Sequence, residues 1–159
     1  PGEANLGIMP DIAFKPGRVG TVSRSGSITY YVADTLTRTD YGQSTCVGLG
    51  GDPVLGSTFA EILLKFEEED KTKAVVMCGE ICGFSEEKAS EALSTMKTPV
   101  LAMVGGVFAP PGKRMGHAGA IVEGKMGTAK EKLEMLADAG AHACKTFTDI
   151  PETLGKLGV

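Results

Sequence analysis

His117 lies in a segment, Gly105 to Ala120, whose Gly, Pro and small residues do not suit the interior of a helix or strand. Gly116 and Gly119 sit close to it in the chain, and Lys113 and Arg114 stand just upstream. Glycine removes the side chains that would crowd an imidazole and lets the main chain approach a ligand closely. An imidazole with cations and bare backbone beside it suits phosphate chemistry, one ring nitrogen acting as nucleophile. Glu80, preceded by Gly79 at the end of an apolar run, can serve the other ring nitrogen. A carboxylate there accepts an N–H from the ring, fixes the tautomer and compensates the charge that grows on the imidazole during attack. Ser25-Gly26-Ser27 begins a helix-like stretch, where N–H groups and the positive end of the helix dipole await an anion. Such a dipole contributes about 0.3–1 kcal/mol at an exposed site. The other histidine, His142, opens an apolar run elsewhere and receives no role.

These residues need a scaffold that brings them together. After a proline-bearing lead-in over residues 1–17, short apolar runs alternate with helical patterns. Strands are expected at 19–23, 44–49, 73–78, 99–104 and 141–146, and helices at 26–39, 57–66, 85–96, 128–139 and 149–156. Ser85 is the expected cap of the third helix, with Glu86 and Glu87 beside its dipole, and Gly140 the expected stop of the fourth. Nearly all-apolar strands alternating with helices predict an α/β fold with a five-stranded parallel sheet covered on both faces. The preferred arrangement is a flavodoxin-like three-layer fold with strand order 2-1-3-4-5. The connections leaving the carboxyl ends of the strands are glycine-bearing: Ser23 to Ser27, Gly48 to Pro53, Gly79 to Gly83 and the His117 segment. Those entering the strands, such as 68–72, are plainer. Open α/β sheets bind ligands at the carboxyl edge, so four such loops there point to one site.

The 159 residues fit a single domain over 1–159, with a hydrophobic content of 42% that supports a core. A net charge of -4, with no basic stretch longer than a pair, argues against nucleic acid as a partner. No apolar run reaches the length of a membrane span, so a membrane partner is not expected. Cys46, Cys78, Cys82 and Cys144 lack the spacing of a zinc or redox motif, and no metal site is expected. Cys46, Cys78 and Cys144 sit in apolar runs and read as small buried hydrophobes. Reduced thiols point to a cytoplasmic or mitochondrial-matrix location.

Four motifs then carry a resemblance. Ser23-Arg-Ser-Gly-Ser-Ile-Thr-Tyr30, Gly42-Gln-Ser-Thr-Cys-Val-Gly-Leu-Gly-Gly-Asp-Pro53, Gly79-Glu-Ile and Gly112-Lys-Arg-Met-Gly-His-Ala-Gly-Ala120 occur in the order found in succinyl-CoA synthetase α subunits. The chain resembles the C-terminal ligase domain of that family nearly end to end; the family's N-terminal CoA-binding domain has no counterpart in it. The resemblance implies that His117 is transiently phosphorylated and that Glu80 steadies the phosphohistidine. Ser25, Gly26 and Ser27 match the helix start facing the phosphoryl group, and Tyr30 matches a tyrosine near the shared substrate site. In the family, ATP or GTP bound with Mg²⁺ on a β subunit exchanges its γ-phosphoryl group, through the histidine, with an acyl phosphate. CoA then displaces phosphate to give the thioester. By the same resemblance no other cofactor is expected, and the fragment alone should be inactive without the CoA domain and β subunit.

Some positions depart from the family pattern. Cys82 stands where glycine is general, Ser27 replaces a common threonine, and Phe108 replaces a small polar residue. The carboxylic acid therefore stays open, with malate–CoA and citrate–CoA ligases sharing the same module. A flavodoxin-like binding module without covalent chemistry, or a noncatalytic assembly domain, is the alternative from another class. The low aromatic content, 6%, disfavours a flavin sandwiched by rings.

Overall fold

The computed structural model describes residues 1–52, 54–81, 83–108, 117 and 127–159. The five strands are β1 (Pro16–Ser23), β2 (Gln43–Gly48), β3 (Ala74–Glu80), β4 (Val100–Gly105) and β5 (His142–Ala143). They alternate with α1 (Gly26–Arg38), α2 (Phe59–Glu68), α3 (Ser85–Leu93), α4 (Ala129–Asp138) and α5 (Asp149–Lys156). The sheet order is β2-β1-β3-β4-β5 and every pair is parallel, as the alternation of runs predicts.

The two-residue period of a strand sends neighbouring side chains to opposite faces. In β3, Val75 and Met77 join the core beneath α2, α3 and α4, with Phe59, Leu63, Ala89, Leu93 and Leu136. Ala74, Val76 and Cys78 face the other way, against Val32 and Leu36 of α1 and Ile150 and Leu154 of α5. Every residue of β3 is buried, which is why its run is continuously apolar rather than alternating. Burying a Val, Leu or Met side chain contributes about 1.5–3 kcal/mol, so these two layers hold the sheet between them.

Local chemistry sets where the elements end. Thr58 and Glu61 form a capping box at the start of α2, and Thr128 and Glu131 form another at α4. Gly140, at φ 105°, follows α4 in a conformation that favours glycine and turns the chain toward β5. Several boundaries differ from expectation. β1 begins at Pro16, inside the proline-bearing lead-in. Ser85 is the first helical residue of α3, not its cap: Phe84 holds the cap position and makes no side-chain bond there. β5 pairs only over His142 and Ala143, because the N–H groups of Lys145 and Thr146 go to Asp149 Oδ2 at 2.7 and 2.9 Å rather than to a ladder.

Candidate functional site

Glu80 is the last residue of β3 and pairs in register with Gly105, the last of β4. Beyond this point the sheet gives way to loops, so the carboxylate stands at the carboxyl edge. Its side chain is only 11% exposed, and both oxygens are engaged. Oε1 accepts from Arg24 Nη2 at 3.1 Å, and Oε2 accepts from His117 Nδ1. A carboxylate can only accept, so Nδ1 carries the hydrogen and Nε2 is the nitrogen with the free lone pair. The His117 side chain is 34% exposed, enough for a ligand to reach the ring.

Arg24 follows β1 directly, and its main-chain N–H donates to the Cys78 carbonyl at 3.1 Å, tying it to β3. Its guanidinium is nearly buried; Nε donates to the Gly50 carbonyl at 3.4 Å while Nη2 holds Glu80. The loop after β2 thus reaches the same place as the loops after β1 and β3. Next to Gly50, Gly51 lies against the imidazole: a Cβ there would stand 2.0 Å from His117 Cγ and 2.1 Å from Nδ1. All four expected loops therefore contribute to one cluster, with Arg24, Gly51, Glu80 and His117 as its members.

Ser25 caps α1. Its Oγ accepts from the Ile28 N–H at 3.4 Å, and its own N–H donates to Ser23 Oγ at 3.1 Å. Helix geometry leaves the N–H groups of Gly26 and Ser27 outside the intrahelical ladder. Ser27 is exposed, and a Cβ at Gly26 would meet no atom within 4 Å, so this end of the helix is open. Tyr30 is occupied elsewhere. Its hydroxyl donates to the Ile8 carbonyl, and its ring packs edge to face on Phe14 with centroids 6.4 Å apart. The structure thus joins Glu80 and His117 directly, opens α1 at the same edge, and anchors Tyr30 to the N-terminal segment.

Sequence reasoning gave no place in the site to three residues that the structure sets in or beside the cluster. Arg24 sits between two serines and is a charged residue of a loop, yet it is 6% exposed. Glu86 and Lys132 are also buried, at 0% and 1% exposure, and their charged groups meet at 2.5 Å. A signal for both exists in the helical period. Glu86 shares a face with Ala89 and Leu93, and Lys132 with Ala129 and Leu136, all of them buried. Lys113, Arg114, Gly116, Gly119 and Cys82 lie outside the described residues.

Around the cluster, Val54, Phe84, Val107 and Phe108 are exposed in the loops after β2, β3 and β4. Cys46, Cys78 and Cys144 are free thiols, with Cys78 and Cys144 buried and Cys46 partly so. Burial pushes the Cys46 thiol up to about 12 and raises those of Cys78 and Cys144 as well. Among the described residues no group of three or more His, Cys, Asp or Glu side chains is placed to hold a metal ion. Nor is any helix among them long and apolar enough to cross a membrane.

A protein-family comparison matches residues 22–142 to the CoA-ligase family. The α1 subunit of an ADP-forming succinate–CoA ligase from Archaeoglobus fulgidus is 52% identical over 99% of this chain and 54% of its own length. The corresponding α subunit of Methanothermobacter thermautotrophicus is 55% identical over 100% of this chain and 55% of its own length. The chain spans about half the length of the curated relatives it matches. Among solved structures, an ATP citrate lyase of Methanosaeta concilii in complex with (3S)-citryl-CoA superposes with a TM-score of 0.81 at 30% identity. That match covers 92% of this chain and 25% of the other.

Proposed function

The chain belongs to the CoA-ligase family, and we propose that it is the phosphohistidine domain of a nucleoside-triphosphate-dependent acid–thiol ligase acting on succinate. The observation that carries this reading is the Glu80 carboxylate, held by Arg24 on one oxygen and bonded to His117 Nδ1 with the other. That contact directs the chemistry to Nε2. Its lone pair attacks the phosphorus of an acyl phosphate, the N–P bond forms, and the P–O bond to the acyl group breaks. The carboxylate leaves with the electron pair. The ring, now cationic and still protonated at Nδ1, is compensated by Glu80. In the second half-reaction an oxygen of ADP or GDP attacks the same phosphorus, the N–P bond breaks, and the neutral imidazole is restored. Running in the other direction, these steps carry phosphate from the triphosphate to the acid, and CoA then displaces it.

Ser25, Gly26 and Ser27 would bind the phosphoryl oxygens through the open end of α1 and the two hydroxyls. Tyr30, which the family resemblance sets near the substrate site, would reach it only by releasing the Ile8 carbonyl that its hydroxyl holds here. The exposed apolar residues Val54, Phe84, Val107 and Phe108 around the cluster suit a protein surface that covers the site, in our reading the β subunit carrying Mg-ATP or Mg-GTP. A CoA-binding domain completes the enzyme. The free thiols fit a reducing compartment, the cytoplasm or mitochondrial matrix.

Succinate is favoured by identities of 52–55% to succinate–CoA ligase α subunits. The likeness to ATP citrate lyase supports citrate as the second reading, and malate is the further acid that the family resemblance leaves open. The test is incubation of the chain with a β subunit, Mg-ATP and each acid in turn, followed by mass spectrometry of the histidine peptides. An acid-labile, base-stable phosphate is expected on His117. Undiminished labelling of a His117→Ala variant would sink the reading.

A further inference from the structure

Glu86 bridges β3 and α4. One oxygen, Oε1, accepts from the main-chain N–H of Glu80 at 3.0 Å; the other, Oε2, accepts from Lys132 Nζ at 2.5 Å. Lys132 also stands 3.7 Å from Glu87 Oε2. The close approach depends on Gly79, where a Cβ would fall 2.6 Å from both Cγ and Oε1 of Glu86. Three elements thus meet at one carboxylate: β3 through Glu80, α3 through Glu86 and α4 through Lys132.

A buried ion pair is a poor device for stability. Removing two charges from water is unfavourable, and well-packed apolar residues of similar volume are often at least as stabilising. What apolar residues cannot supply is a fixed acceptor for the Glu80 N–H at the place where the ladder with β4 ends. Glu86 alone would supply it only by adding a net charge beside the Glu80 carboxylate; Lys132 cancels that charge.

We propose that the Glu86–Lys132 pair is a positioning device: it fixes the Glu80 main chain so that its carboxylate meets His117 Nδ1 and leaves Nε2 free to react. Its consequence for phosphoryl transfer rests on the function proposed above; its consequence for the imidazole does not. Glu86 and Lys132 touch no reacting atom and act through Glu80.

Two double variants separate this role from simple support of the fold. Glu86→Leu with Lys132→Met removes the charges and the acceptor. Glu86→Gln with Lys132→Met removes the charges but keeps an acceptor for the Glu80 N–H. The first readout is the ¹⁵N NMR spectrum of the histidine rings at alkaline pH, with His142 as internal reference. Wild type and the Gln–Met chain are expected to hold His117 as the Nδ1–H tautomer, whereas the Leu–Met chain moves toward the tautomer mixture of His142. The second readout is phosphate incorporation with the β subunit, expected to fall roughly tenfold or more in the Leu–Met chain only. Should that chain not fold, Gly79→Ala, which crowds the same carboxylate, must lose the Nδ1–H tautomer instead. A wild-type His117 spectrum in whichever of these two chains folds overturns the proposal. A wild type that shows the tautomer but never takes up phosphate refutes the proposed function and leaves the positioning role standing.

Discussion

Gly51 packs so closely on His117 that the side chain it lacks would overlap the imidazole: a Cβ would lie 2.0 Å from Cγ, well inside any real contact. The glycine is therefore part of the site, because no other residue lets the ring reach Glu80 at this position. Gly51→Ala should push His117 away and abolish the Nδ1 contact. Because a misplacement of about 1 Å can lower a rate roughly 10²-fold, phosphate incorporation should fall by about that factor. Overpacking costs about 1–3 kcal/mol, so urea denaturation should detect a folded, moderately weakened chain. Wild-type incorporation in this variant would remove the ring from the place described.

Arg24 meets Glu80 where little water reaches either group, their side chains being 7% and 11% exposed. Removing one partner of such a pair strands the other charge, at a cost of about 3–5 kcal/mol. Arg24→Gln should show that loss in the urea midpoint and also lose phosphate incorporation. Arg24→Lys retains a charge but not the fork that reaches Gly50 and Glu80 together. It should recover much of the stability and little of the activity. Equal activity of the Lys variant and wild type would mean that charge alone, without the fork, sets Glu80.

The layered α/β fold is legible because its strands are buried on both faces: Ala74 to Cys78 could hardly be written otherwise. The shared edge is legible for a related reason, since only loops that must crowd one point need glycine after four successive strands. Less legible is anything decided by a single side chain far along the chain. Asp149 shortens β5 by taking two N–H groups that apolar patterning assigns to a strand. Ser94 and Thr95 close α3 early, their hydroxyls donating to the Glu91 and Ala92 carbonyls at 2.7 and 2.9 Å. Glu86 looks like a first-turn glutamate serving the helix dipole, and only its partner on α4 reveals why it is buried. Charge type predicts exposure; position on an apolar helical face predicts burial, and here position wins.

Thr58 closes a reciprocal cap at α2: its Oγ1 accepts from the Glu61 N–H at 3.2 Å, and Glu61 Oε2 accepts from the Thr58 N–H at 2.7 Å. Thr58→Ala should cost about 1 kcal/mol in urea denaturation. Since α2 supplies core residues and no member of the cluster, phosphate incorporation should be unchanged well below the melting temperature. A parallel loss of activity would show that the site responds to any weakening of the fold and would undercut inferences from the other variants.

Burial raises the thiols of Cys46, Cys78 and Cys144, Cys46 to about 12, so the reactive thiolate is scarce in each at neutral pH. In the native chain these three should alkylate slowly, and unfolding in urea should bring them to the rate of a free thiol. Peptide mass spectrometry after a short iodoacetamide pulse reads each site separately. Fast native labelling of Cys78, which lies on β3 against α1 and α5, would mean that this layer opens far more readily than its packing implies.

Asp149 offers a test of pH dependence away from the site. The Thr146 main-chain N–H, the Thr146 hydroxyl and the Lys145 N–H all donate to its carboxylate and hold it below the ordinary value of 3.8. A carboxyl group whose folded value is depressed stabilises the fold fully above its unfolded value, and that contribution disappears as pH falls through the folded one. Asp149→Asn removes the titration while keeping one acceptor oxygen. The difference in urea midpoint between wild type and variant should therefore be greatest near neutral pH, begin to shrink around 3.8, and close below it. The same carboxylate also ends β5, so the variant should exchange the Lys145 and Thr146 amide hydrogens faster than wild type at neutral pH. A midpoint difference that stays constant into acid would mean that Asp149 acts through its shape and not through its charge.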